Sequence, residues 1–128
     1  MNESATILVV EDDPLVRRFT LTALQRHGYR TLEAFDGISG LATFSQHKTA
    51  VDLVLSDVVM PHAGPEMVEE ILRLDPNTKV GFMSGTAGMM YVLPDCLKSV
   101  PLLHKPFTCD RLIEFVESCL RVRDRTVQ

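Results

Sequence analysis

The chain has no apolar run near the ~20 residues that a helix needs to cross a bilayer, so membrane insertion is not expected. Its first residues, Met1-Asn2-Glu3-Ser4, carry no basic stretch ahead of an apolar segment and do not read as a secretion signal. These two absences point to a cytoplasmic protein. Cysteine is scarce: Cys96, Cys109 and Cys119 make an odd count without a Cys-x-x-Cys pair. That argues against a disulfide framework or a zinc site, and the three read as small hydrophobes. There is no large basic block, and the net charge is -4. Direct nucleic-acid binding, which leaves a basic footprint, is therefore not expected. Arg121, Arg123 and Arg125 make a short basic end that suits a solvated helix C-terminus. There is no internal repeat, low-complexity tract or linker. The 128 residues, 45% of them hydrophobic, fit one domain with its core at about 5–121 and a tail at 122–128.

What is present is an alternation of strand and helix signals. Ile7-Leu8-Val9-Val10 is a continuous aliphatic run, as in a strand buried on both faces. Glu11-Asp12-Asp13 ends it. Asp13 is placed to cap the next helix, and Pro14 suits the first helical position. Leu15, Val16, Phe19, Ala23 and Leu24 recur at helical spacing until Gly28 stops the helix. Arg30 to Ala34 reads as a more polar strand, which fits an edge. After the Asp36-Gly37 turn, Ile38, Leu41, Ala42 and Phe44 make a second helical face. Leu53-Val54-Leu55 is a third strand, ending at Ser56-Asp57. Met67, Val68, Ile71 and Leu72 form a third helical stripe. Val80 to Met83 is a fourth strand, ending at Ser84-Gly85. Between Thr86 and Ser99, Pro94 interrupts any helix, so one short or distorted helix is expected. Leu102-Leu103 is a fifth strand. Thr108 or Asp110 opens a last helix with Leu112, Ile113, Val116, Cys119 and Leu120 inward. The alternation predicts an α/β fold: a doubly wound five-stranded parallel sheet with helices on both faces.

In such sheets ligands bind at the carboxyl ends of the strands. Glu11, Asp12 and Asp13 follow the first strand, Asp57 ends the third, Ser84 the fourth, and Lys105 follows the fifth. Clustered carboxylates repel: two unit charges ~4 Å apart interact by about 4 kcal/mol at an effective dielectric of ~20. A cation is needed, and Lys105 supplies one charge. A divalent metal is the natural second, and Mg²⁺ prefers a few carboxylates together with phosphate oxygens. That chemistry suits phosphoryl transfer, with Asp57 as nucleophile, Asp12 as metal ligand, and Ser84 and Lys105 holding the phosphoryl group.

The four segments Ile7-Leu8-Val9-Val10-Glu11-Asp12-Asp13-Pro14, Ser56-Asp57-Val58-Val59-Met60-Pro61, Phe82-Met83-Ser84-Gly85 and Lys105-Pro106-Phe107 resemble the motifs of the response-regulator receiver family, in order. The family includes chemotaxis regulators. The last two also resemble receivers of hybrid sensor histidine kinases. The resemblance implies a flavodoxin-like strand order 2-1-3-4-5 and a phosphoacceptor at Asp57. It implies a Mg²⁺ site made by Glu11 (through water), Asp12, Asp57 and the backbone carbonyl of Val59. It implies phosphoryl contacts from Ser84 and Lys105, a cis bond before Pro106, and open access at Gly85. The implied role is that of a two-component signalling domain, not an enzyme. The phosphoryl group comes from a sensor histidine kinase or a histidine phosphotransfer domain, and a conformational switch controls an unidentified downstream protein. The implied assembly is a monomer or weak dimer. The switch region comprises Ser84, Gly85, Thr86 and Leu102, on a surface made by residues 86–99, the fifth strand and the last helix.

Three features depart from the family pattern. Leu102 stands where many relatives carry a switching aromatic, so another readout is expected, such as backbone shifts around 86–99. The loop from Met60 to Gly64 is one residue shorter than the common form. Pro94 and the run Gly88-Met89-Met90-Tyr91-Val92-Leu93 make the segment after the fourth strand unusual. Val59 and Thr86 occupy positions that tune phosphoryl lifetime in relatives. Neither is a base for water, so slow self-dephosphorylation is expected. His27, His47, His62 and His104 are scattered and suit surface or loop roles, with a modest pH effect from His62 and His104 near the site. Two alternatives stand beside this reading. One is an aspartyl-phosphate phosphohydrolase, which would want an acid where Val59 stands. The other is a docking module that keeps the fold without phosphorylation.

Overall fold

Side chains alternate across a strand, so an all-aliphatic strand needs apolar cover on both sides, and β1 (Thr6–Val10) has it. Leu8 and Val10 enter one apolar layer; Ile7 and Val9 enter the other. The computed structural model describes residues 5–60, 64–85 and 93–121. β1 is joined by β2 (Arg30–Ala34), β3 (Leu53–Asp57), β4 (Val80–Ser84) and β5 (Leu102–His104) in one parallel sheet, ordered β2-β1-β3-β4-β5. The polar β2 lies at an edge. Helices α1 (Pro14–Arg26) and α4 (Cys109–Arg121) cover one face through Ala23, Leu24, Leu112 and Val116. Helices α2 (Gly37–Gln46) and α3 (Gly64–Leu74) cover the other through Phe44, Met67, Val68 and Ile71. No helix among the described residues is long and apolar enough to cross a membrane.

Local chemistry sets where the helices begin and end. The Asp13 carboxylate accepts the amides of Leu15 (2.9 Å) and Val16 (3.3 Å), and Pro14 opens α1. Gly28 ends that turn at φ 99°, a conformation that favours glycine. Asp36 and Ser39 exchange side-chain and backbone bonds as a capping box at α2. The Thr108 hydroxyl accepts the Arg111 amide at 3.1 Å, so Thr108 starts α4.

Two helical stripes differ from expectation. Leu15 (78% exposed) and Phe19 (42%) face outward; α1 buries Ala23 and Leu24, as expected, together with Thr20. On α2, Ile38 and Ala42 are exposed, while Gly37, Gly40 and Phe44 are buried. The reason is close approach. A Cβ on Gly40 would stand 2.4 Å from the Met67 sulfur and 3.2 Å from Val10. Glycine there lets α2 sit close to β1 and α3, with Phe44 inward and Ile38 outward. Within 86–99, residues 86–92 lie outside the described residues. Beyond them, Pro94 precedes a three-residue 3₁₀ turn, Asp95–Leu97, whose Leu97 is buried.

Candidate functional site at the carboxyl edge of the sheet

β1 pairs with β2 on one side and with β3 on the other, so successive connections leave this point in opposite directions. A crevice at the carboxyl ends is expected at such a reversal. Register brings the ends level: Val10 lies opposite Ser56, Asp57 opposite Met83, and Ser84 opposite His104. One residue beyond β1 stands Glu11, and Lys105 follows β5 directly.

Side chains spread over 94 positions of sequence therefore meet. Lys105 Nζ donates to Glu11 Oε1 at 2.7 Å and lies 3.2 Å from Asp57 Oδ2. Glu11 Oε2 accepts the Asp13 amide at 3.1 Å. Glu11, Asp12 and Asp57 each offer a carboxylate oxygen, all within 4.8 Å of one another. Glu11 and Asp57 are buried, and Asp12 is exposed. The donor set of three carboxylates open to solvent on the Asp12 side fits a hard divalent cation such as Mg²⁺.

The electrostatics of the pair are unequal. Burial raises the Glu11 carboxyl, and the Asp57 charge adds to this. Lys105 and the Asp13 amide pull the other way, and the outcome is a value of about 7. For Lys105, burial favours the neutral amine, but Glu11 and Asp57 outweigh it and hold the ammonium above its ordinary value. The lysine keeps its proton, and the glutamate is the member that titrates.

The remaining site residues fall as follows. Ser84 is buried at the end of β4, its hydroxyl donating to the Gly85 carbonyl at 3.1 Å. At Gly85, among the described residues, an added Cβ would meet only Lys105 Cδ, at 4.0 Å. Val59 follows Asp57 by two residues with its side chain exposed. Leu102 is 38% exposed on the edge strand β5, and His104 is exposed. Asp13 caps α1 and stands outside the three-carboxylate group. The Lys105–Pro106 bond is cis. Thr86, His62, the Met89-Met90 pair and most of the Met60–Gly64 loop lie outside the described residues.

Sequence reading missed two features. The direct Glu11–Lys105 contact is shorter than the Lys105–Asp57 one. Arg17, one turn and a half beyond Glu11, donates from Nη1 to the Glu11 carbonyl at 2.8 Å. The only signal for Arg17 was a cation in the helix that follows the acidic triplet.

Comparison with known proteins identifies the family. Residues 7–117 match the response regulator receiver domain. The sensor kinase CckA of Brucella abortus (strain 2308) is 37% identical over 127 residues, 97% of this chain, although the chain spans only 13% of that protein's length. The response regulator receiver protein CpdR of the same organism is 31% identical over 89% of this chain and 95% of its own length. Among solved structures, the receiver domain from the hybrid histidine kinase CckA superposes with a TM-score of 0.77 at 30% identity, over 91% of this chain and 100% of that one. The receiver domain of NtrX from Brucella abortus does so with a TM-score of 0.81 at 29% identity, over 91% and 99%. A match that runs from the first strand into the last helix, in sequence and in fold alike, makes this chain a member of the response regulator receiver domain family, the regulatory domains of two-component signalling.

Proposed function

We propose that the chain is a phosphoacceptor in a two-component pathway, receiving a phosphoryl group on Asp57 from the phosphohistidine of a sensor kinase or a histidine phosphotransfer domain. One observation carries this reading: Lys105 bridges Glu11 and Asp57 while Asp12 completes an acidic group open to solvent. Glu11, Asp12, Asp57 and the Val59 carbonyl would hold Mg²⁺. The ion, when bound, supplies positive charge against the carboxylates and the incoming phosphoryl oxygens.

The chain's own groups do the rest. An Asp57 carboxylate oxygen attacks phosphorus as the partner's N–P bond breaks. The leaving imidazole keeps the electron pair and takes a proton from solvent. Lys105, already 3.2 Å from Asp57, stays charged and turns to a phosphoryl oxygen. The Ser84 hydroxyl, now donating to the Gly85 carbonyl, can rotate to donate to a phosphoryl oxygen instead. Those new contacts shift Ser84, Gly85 and the edge strand carrying Leu102, and so present a changed surface to a downstream protein. A near-complete shift of a two-state equilibrium needs about 5.5 kcal/mol of differential stabilisation. The protein regulates a partner instead of turning over a substrate, and it acts as a monomer or weak dimer without binding nucleic acid.

The test is incubation with Mg²⁺ and acetyl phosphate, followed by mass-spectrometric mapping. A single phosphoryl adduct on Asp57, lost in Asp57→Asn, is expected, and it should outlast seconds because no base faces it from Val59. No adduct, or one that survives in Asp57→Asn, overturns the proposal. Signalling that Asp57→Asn leaves unchanged would favour a docking module.

A further inference from the structure

The acidic turn after β1 is held from outside the site by a cation that the mechanism above does not use. Glu11 is fully buried, and its polar atoms are all engaged. Oε1 meets Lys105 and Oε2 meets the Asp13 amide. Its own amide donates to the Ala34 carbonyl at 3.1 Å. The last atom, its carbonyl oxygen, accepts Arg17 Nη1 at 2.8 Å. Arg17 is itself steered: its Nε lies 3.2 Å from Glu33 Oε1, on the strand β2 that flanks β1. The guanidinium presents several donors in a rigid plane, so one side chain can serve acceptors on two elements at once.

We infer that Arg17 is a positioning residue for the Mg²⁺ site: oriented by Glu33, it clamps the Glu11 carbonyl and so keeps the Glu11-Asp12 turn in the shape that presents both carboxylates to the ion. The inference rests on the phosphoacceptor reading. One feature separates it from an ordinary surface ion pair. The Glu33 end is 60% exposed, and such a pair contributes little to stability by itself. The Arg17 side chain, at 21% exposure, reaches inward to the backbone of a fully buried site residue. A neutral carbonyl in that place, stripped of its partner, would have to find water or move.

The experiment compares wild type, Arg17→Ala, Arg17→Lys, Glu33→Gln and the Arg17→Ala/Glu33→Gln double variant. Mg²⁺ affinity is read from amide chemical shifts of Glu11 to Asp13, amide exchange at Asp13 is read without metal, and stability is read by urea unfolding. Outer residues that orient metal ligands typically change affinity by about 10-fold or more. Arg17→Ala should weaken Mg²⁺ binding by about that factor and speed exchange at Asp13. Arg17→Lys should fall between, since it lacks the separate Nε and Nη1 donors with which Arg17 reaches its two acceptors. Glu33→Gln should weaken binding less, and should add little on top of Arg17→Ala because the two act in one chain. Wild-type Mg²⁺ affinity in Arg17→Ala, with only lowered stability, overturns the inference and leaves the phosphoacceptor reading intact. If Arg17→Ala does not fold, wild-type affinity in both Arg17→Lys and Glu33→Gln overturns it. Failure of the wild type to bind Mg²⁺ overturns both.

Discussion

Glu11 has both carboxylate oxygens engaged and no exposed surface, and its carboxyl sits at about 7 against an ordinary 4.5 because of burial first and Asp57 second. A group whose folded-state value is raised contributes stability that is complete below the unfolded value. That contribution is lost as the pH rises through the folded one. In metal-free protein the window therefore runs from about pH 4.5 to about pH 7. Across it, Glu11→Gln should gain about 3 kcal/mol on the wild type, measured by urea unfolding at both ends. A pH-independent difference would refute this account. Cys119 gives a second residue-level prediction. Burial pushes its thiol up to about 11, whereas Cys96 and Cys109 are exposed. At mildly alkaline pH, iodoacetamide should label the exposed pair and spare Cys119 until the chain unfolds, as peptide mapping will report. At this scale the sequence shows residue types and their places after strands. It does not show reach, and so the Glu11–Lys105 contact across 94 positions and the Arg17 clamp were not legible.

Strands were more legible than helix faces. A strand buried on both sides carries a run of apolar residues, so Ile7–Val10 of β1 and Leu53–Leu55 of β3 announce themselves, and the polar β2 falls at the edge. Helices are judged by a stripe, and the stripe misleads where glycine sets the approach, as on α2. Two glycines allow a graded test of this idea. A Cβ at Gly64 would lie 2.1 Å from the Asp57 carbonyl oxygen, which is backbone and cannot step aside. At Gly40 the nearest atom is the flexible Met67 thioether. Gly64→Ala should cost about 3 kcal/mol, the upper range for overpacking, and Gly40→Ala about 1 kcal/mol. Gly64→Ala should also weaken phosphorylation at Asp57, since the start of α3 would be forced away from that carbonyl. Equal losses in the two variants, by urea unfolding, would contradict the distinction between backbone and side-chain neighbours.

The whole molecule is two apolar layers sharing one sheet, with α2 and α3 on one face and α1 and α4 on the other. Phe44 and Leu24 are fully buried, one in each layer. Phe44→Ala and Leu24→Ala should each cost about 3 kcal/mol. The double variant should lose the sum within about 0.5 kcal/mol, because among the described residues the two layers have no side chain in common. A large non-additive residue in the denaturant midpoints would show that the faces are coupled. By itself the sequence determined the element order, the parallel α/β class and the set of strand-end residues. Hydrophobic period, caps and turn residues are local signals, and each element must satisfy its own backbone. The tertiary structure alone decided which sides of α1 and α2 are buried, that Lys105 meets Glu11 more closely than Asp57, and that Arg17 reaches the acidic turn. Those are matters of packing distance and side-chain direction, and they exist only once the sheet has brought distant segments level.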